Sequence, residues 1–238
     1  MATMYPDLSN NELIKWRQSK IIQSDAEVKL YKAFKEKLPE KYVVFFQVGW
    51  IIRNQKEKAI DGENDFLIFC PDYGYICIEV KGSSKIKFNA KTRQWESFNR
   101  NKHTWKKIKN PVKQAEDAKH SILAKIKESP EYIRIPKLYI DNGHAVFFPE
   151  LADITNIVSP DLPEELIGYA ESMKNPQIWI QQVTNYWNKN NKRPPNTLLP
   201  ILERIFAHSF EVSPLVSQNL KIQKEKRIRL TDNQMRLL

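Results

Sequence analysis

The chain predicts an α/β domain, and three features carry that prediction. Two apolar runs, Phe66–Cys70 and Tyr75–Val80, flank Pro71-Asp-Tyr-Gly74 and read as paired strands around a tight turn, where proline presets φ and glycine accepts a positive one. Helical patterns stand on either side: Ser24-Asp-Ala-Glu27 opens one and Asn110-Pro111 another, each with the capping chemistry of a helix start. At 238 residues and 41% hydrophobic content, the chain can bury a substantial core.

Taken in order, residues 1–23 contain a short helical piece from about Asn11 to Lys20. The helix opened by Ser24 runs to about Leu38 and stops at Pro39. Glu27 has two readings here: with Ser24 it fits a capping box, and with Leu30, Tyr31 and Phe34 it leads the core-facing stripe. Tyr42–Val48 is an apolar strand that Trp50-Ile51-Ile52 extends, and a charged loop, Arg53–Ile60, leads to Asp61. Gly82-Ser-Ser turns the chain into a hairpin of Ile86–Phe88 and Gln94–Phe98 around Asn89–Thr92. The helix opened by Asn110 runs to about Lys127; Gln114 in its first turn reads, by itself, as an ordinary helix residue. His144–Phe148 is a strand and Ile154–Val158 another. Three helices are expected after it: Asp161 to about Met173, a second opened by Asn175-Pro176, and Asn196 to about Ala207. They would form a helical C-terminal extension, with residues 209–220 a linker.

Chemistry concentrates at the end of the central strand pair. Side chains alternate along a strand, which pairs Asp65 with Glu63 and Glu79 with Lys81. Asp65 and Glu79 on adjacent strands can share Mg²⁺, a hard cation that takes carboxylate oxygens and keeps several waters. Such an ion polarises a phosphate and acidifies a bound water, and Lys81 can position that water or stabilise charge on the phosphate. The plain alternative is a hairpin with polar ends. An acid opening one strand and Glu79-Val-Lys81 closing a nearly all-apolar neighbour favour the functional reading.

The net charge of +10 is unevenly distributed: residues 81–128 hold 14 Lys or Arg against 4 Asp or Glu. Trp95, Phe98 and Trp105 interleave with those bases, a pattern suited to nucleic acid, although aromatics turned into the core give the same composition. Cys70 and Cys77 fall in core strands and read as buried small hydrophobes; no disulfide framework is present, and the four histidines show no metal spacing. No signal pattern and no membrane-length apolar run occurs, so a soluble, cytoplasmic protein without a membrane partner is expected.

The order of parts resembles the nuclease-related domain (NERD) of the PD-(D/E)xK nuclease superfamily over about residues 20–150. The resemblance rests on Glu27 in its helix start, Gly62-Glu-Asn-Asp65, Glu79-Val-Lys81, the following tryptophan region and Asn110-Pro-Val-Lys-Gln114. It implies a restriction-endonuclease-like α/β fold: a mixed central sheet of four or five strands flanked by helices, with the helical extension. It also implies Glu27, Asp65 and Glu79 as metal-site carboxylates, Lys81 as the catalytic lysine, Gln114 as a supporting polar group and Glu63 close by. The cofactor implied is Mg²⁺, with Mn²⁺ as a substitute. The partner implied is DNA, its backbone held by Lys85, Lys87, Lys91, Arg93, Arg100, Lys102, Lys106, Lys107, Lys109 and Lys113. Where the family shows a doubled glycine after the lysine, this chain has Gly82-Ser83.

Leu230-Thr-Asp-Asn-Gln234 is similar to the Q-motif of UvrD-like superfamily-one helicases, in which the glutamine reads adenine. No phosphate-binding G-x-x-x-x-G-K-[ST] motif follows within the sequence. The expected layout is a nuclease domain at 1–150, a helical extension at 151–208, and a linker leading at 209–238 into the start of a helicase domain in cis, in a phage-defence or repair enzyme. The superfamily's habits also allow a homodimer. Two rivals are a non-catalytic tethering domain, which would keep the basic stretch without a metal, and a protein-docking module, whose binding would lack steep salt dependence.

Overall fold

The computed structural model describes residues 1–53, 59–99, 103–134, 139–188 and 193–208. Two short elements come first, β1 (Thr3–Tyr5) and α1 (Asn10–Gln18). The long helix α2 (Asp25–Lys37) follows, with Ser24 as its N-cap. Then come three strands in succession, β2 (Val43–Arg53), β3 (Ala59–Cys70) and β4 (Gly74–Val80). A separate three-stranded antiparallel meander is made by β5 (Ile86–Asn89), β6 (Gln94–Asn99) and β7 (Thr104–Ile108). Helix α3 (Pro111–Glu128) follows, capped by the Asn110 side chain on the amides of Val112 and Lys113, and the short α4 (Pro130–Arg134) comes after it. The chain continues through β8 (Asp141–Phe148), β9 (Ile167–Tyr169), α5 (Pro176–Trp187) and α6 (Leu198–Phe206).

The central sheet is mixed and has six strands in the order β1-β2-β3-β4-β8-β9, more than the four or five expected. Its outer pairings and β4–β8 are parallel, while β2–β3 and β3–β4 are antiparallel. Period-two alternation splits the core between its two faces. Val44, Phe46, Phe66, Ile68, Ile76 and Ile78 meet Leu30, Tyr31 and Phe34 of α2, whereas Leu67, Tyr75 and Cys77 meet Ala118, Ile122 and Ile126 of α3. Burying a side chain such as Phe34, which stands edge-on to Phe66, contributes roughly 2–3 kcal/mol. Both cysteines are free and buried, as expected.

The β3–β4 turn behaves as its sequence predicts. Gly74 has φ +148°, and a Cβ there would lie 2.0 Å from the Asp141 carbonyl oxygen, so glycine is what lets β8 approach.

Three expectations need correction. The helix expected from Asp161 to Met173 is instead a 3₁₀ turn at Glu164–Leu166, strand β9 and a second 3₁₀ turn at Glu171–Met173. Pairing with the open side of β8 overrides the local helix signal there, and Gly168 lies against the Phe147 ring, where a Cβ would come within 2.1 Å. The strand expected at Ile154–Val158 is a turn: Ile154 packs into the core, but no ladder forms. The hairpin at 86–98 has a third strand, β7, which the expectation lacked.

Helices α5 and α6 pack on the central sheet, with Trp179, Ile180 and Val183 on the α2 side and Leu198, Ile201 and Leu202 on the α3 side. Residues Met1–Ala207 form one compact unit. The expected linker, the Q-motif-like segment with Gln234, and the basic residues Arg100 and Lys102 lie outside the described residues. No helix among the described residues is long and apolar enough to cross a membrane.

Candidate active site

The candidate carboxylates lie around the point where the regular ladder between β2, β3 and β4 breaks. In β2, Val43 and Phe45 pack on the α3 side and Val44 and Phe46 on the α2 side. Alternation would send Val48 to the α2 side, yet it packs with Val43 and Phe45. The step falls at Gln47, whose φ is +56°, in the left-handed region. In β3 the register passes from Phe46↔Phe66 to Val48↔Asn64, which leaves Asp65 opposite Gln47 as the matching break. The β3–β4 backbone pairing ends at Phe66↔Ile78. Beyond it, the Val80 amide donates to Asp65 Oδ2 at 2.7 Å, so a side chain takes over from the backbone.

Glu79 is buried and forms an ion pair with the Lys81 ammonium. The Lys81 amide donates to the Phe147 carbonyl at 2.9 Å, which keeps this segment beside β8 after β4 has ended. Glu27, in the first turn of α2, is also buried. Its Oε1 accepts from Ser24 Oγ at 2.8 Å, and its Oε2 accepts from the Gln23 amide at 3.3 Å and from Gln47 Nε2 at 2.6 Å. Both readings of Glu27 are therefore present in one side chain: it braces the helix start, and it stands among the other acids.

Electrostatics tie the group together. Burial pushes the Asp65 carboxyl well above the ordinary range, and the charges of Glu79 and Glu27 push it further. Burial raises Glu79 too, with Lys81 opposing the shift and Glu27 and Glu63 adding to it. Glu27 is raised by burial against the hydrogen bonds from Ser24 and Gln23. Several acids thus repel one another in a region of poor solvation, a state that a cation relieves.

The donors are hard carboxylate oxygens, which suit Mg²⁺ or Mn²⁺ in kind and charge. Among the described residues, however, no group of three or more His, Cys, Asp or Glu side chains is already drawn together to hold a metal ion, and Lys81 occupies one oxygen of Glu79.

The nuclease-related domain matches residues 22–147, more than half of the chain. The chain belongs to the nuclease-related domain family. No curated protein and no solved structure matches it. The NERD region takes in Glu27, Asp65, Glu79, Lys81 and Gln114, and also the whole meander.

Gln114 lies in the first turn of the NERD helix α3, and its Oε1 is buried without a hydrogen-bond partner. The described contacts do not join it to the carboxylates. Asn64, fully buried beside Asp65, likewise leaves both amide atoms without partners. Glu63 is exposed but close enough to act on Glu27 and Glu79.

The meander has two unlike faces. Ile86, Trp95 and Ile108 pack on the main core, with Trp95 only 5% exposed. On the other face Lys87 pairs with Glu96 at 2.8 Å and lies 4.3 Å above the Trp105 ring, which is 39% exposed. Lys85 lies 5.5 Å above Phe98, and Phe98 packs against Trp105. Lys91 and Arg93 stand at the β5–β6 turn, and Lys106, Lys107 and Lys109 are exposed on or just after β7. Lys113, in the first turn of α3, is engaged by Glu116 and Asp117 at 3.0 Å each. The aromatics thus divide: Trp95 belongs to the core, while Trp105 and Phe98 belong to the basic face.

Sequence reasoning missed Gln47. Its signal was present, because Gln47 is the one polar side chain in Val43-Val-Phe-Phe-Gln-Val-Gly-Trp-Ile-Ile52.

Proposed function

We propose that this nuclease-related domain is a metal-dependent deoxyribonuclease that hydrolyses DNA phosphodiester bonds. The observation that supports the reading is that the buried Asp65 carboxyl feels the charges of Glu79 and Glu27, with Lys81 on the Glu79 carboxylate. Asp65 and Glu79 would hold a Mg²⁺ or Mn²⁺ ion, and Glu27 would complete the site. When bound, the ion supplies a polarised phosphate oxygen and a water of lowered pKa. Lys81, released from Glu79, orients the attacking water or donates to the phosphate oxygen on which charge builds. Gln114 supports the site from α3. The basic face of the meander holds the DNA backbone through Lys85, Lys87, Lys107 and Lys109, with Lys91 and Arg93 at its turn and Lys106 reaching from the Trp95 side. Arg100, Lys102 and the helicase reading of Leu230–Gln234 extend this proposal into residues outside those described; a helicase domain in cis would place the activity in phage defence or repair.

A second reading has its own support. The seating of Lys81 on Glu79 suits a DNA-tethering domain that does not cut.

Incubating the protein with linear and circular DNA in Mg²⁺, Mn²⁺ or EDTA separates the two. Metal-dependent cleavage that Lys81→Ala abolishes is the expected result. Salt-sensitive binding without cleavage would replace this reading with tethering.

A further inference from the structure

We propose that Gln47 is a positioning residue of this site, holding Glu27 with one end of its carboxamide and a site water with the other. The inference rests on the nuclease reading and deepens it.

Three independent observations converge on this side chain. First, its backbone is costly to maintain. A φ of +56° is uncommon for a residue other than glycine, asparagine or aspartate, and it lies in the middle of an otherwise extended strand. The surrounding run is strongly apolar, so neither local sequence nor packing calls for a polar residue or a left-handed turn there. Second, the turn has a visible result. It shifts the alternation of β2 by one step, and Gln47 Nε2 lies 2.6 Å from Glu27 Oε2. That is a short, charge-assisted contact between a central strand and the first turn of α2. Third, Oε1 of the same amide is buried with no partner in the protein. A buried carbonyl oxygen without a donor is unfavourable, and a water or ligand normally satisfies it.

The chemistry of the unfilled position follows. Oε1 only accepts, so its partner must donate a hydrogen bond. It belongs to the amide that touches Glu27, on the residue opposite Asp65, and both carboxylates also accept. A water held by a divalent cation there is a strong donor of the right kind. Gln47 then works through others: it fixes the Glu27 carboxylate and orients a water, without itself touching the ion. Neighbours of this sort typically change metal affinity or activity by 10–100-fold when removed.

Two variants test this on the full chain. Gln47→Gly removes the amide and suits the left-handed backbone; Gln47→Asn tolerates the same backbone but is one methylene too short to reach Glu27. Mn²⁺ binding is followed by loss of the free-ion electron paramagnetic resonance signal, alongside thermal melts and DNA cleavage. The expected result is metal-free melting equal to or above wild type for Gln47→Gly, with Mn²⁺ affinity and cleavage falling about 10–100-fold in both variants. Wild-type Mn²⁺ affinity and cleavage in both variants would overturn the inference. So would a loss of melting temperature that accounts for the loss of activity, which is what a purely structural glutamine gives. Failure of the wild-type chain itself to bind Mn²⁺ and cut would instead overturn the nuclease reading, and this inference with it.

Discussion

The two ends of the β3–β4 hairpin differ in almost every respect that sequence and packing control. At the turn end, side chains alternate, each apolar residue finds its layer, and Gly74 fits a backbone position that other residues do not. At the other end, alternation slips at Gln47, acids raise one another's pKa values, and the amides of Gln47 and Asn64 keep buried atoms unpartnered. One end is built to be stable; the other holds unfavourable groups in place. Such violations are tolerated where a site needs them and the surrounding fold can carry them.

The sharpest way to test that contrast is to change each end and ask which property fails. Lys81→Ala should lower cleavage by at least about 100-fold while leaving DNA binding and melting close to wild type, because it removes a group acting on the transition state. Single-turnover cleavage with a parallel binding titration measures both. Gly74→Ala should do the reverse. Its methyl meets the Asp141 carbonyl at 2.0 Å, so destabilisation of roughly 2–4 kcal/mol is expected in chemical denaturation, with any surviving folded protein retaining its metal response.

A subtler break uses charge. Asp65→Asn should abolish metal-dependent cutting yet stabilise the metal-free protein near neutral pH. The sign follows from linkage. The carboxyls of Asp65, Glu79 and Glu27 titrate above their unfolded values near 4, so in that window the native state binds more protons than the unfolded chain. Stability is therefore lost as pH rises from about 4 through the raised values. His144 opposes this: burial lowers its pKa to about 4, so it favours the fold less as pH falls below about 6.5. The wild-type minus Asp65→Asn difference isolates the carboxylate contribution, at about 2–4 °C of melting temperature per kcal/mol. A variant that melts below wild type at pH 7 would count against the repulsion argument.

The meander should matter least to the bond-breaking step itself, and its two tryptophans repeat the comparison in miniature. Trp95→Ala should cost about 3–5 kcal/mol of stability, and Trp105→Ala almost none. Conversely, Trp105→Ala should weaken DNA binding by about 5–100-fold if bases stack there, and Lys107→Ala should reduce the salt slope by about 1. Equal stability losses in the two tryptophan variants would erase the distinction between the faces.

Much of this was legible in the sequence, because it depends on local rules. The hairpin, the Ser24 and Asn110 caps and the stopping of α2 at Pro39 each follow from a few neighbouring residues. Glu27, Asp65, Glu79 and Lys81 stand in recognisable spacings, although only the fold brings residue 27 beside residues 65 and 79. What could not be read depends on distant partners. Ile167–Tyr169 becomes a strand because β8 has a vacant side, and Trp95 and Trp105 part ways because of what lies beneath the meander. Gln47 marks the boundary: its polarity was visible, but its left-handed backbone and its contact with Glu27 of α2 were not.

The borders of the main sheet have one more consequence. Each is a three-residue strand, β1 on one side and β9 on the other, and both run parallel to their neighbours. Such brief borders offer a second copy little backbone to extend. Self-association by continuing the sheet is thereby discouraged.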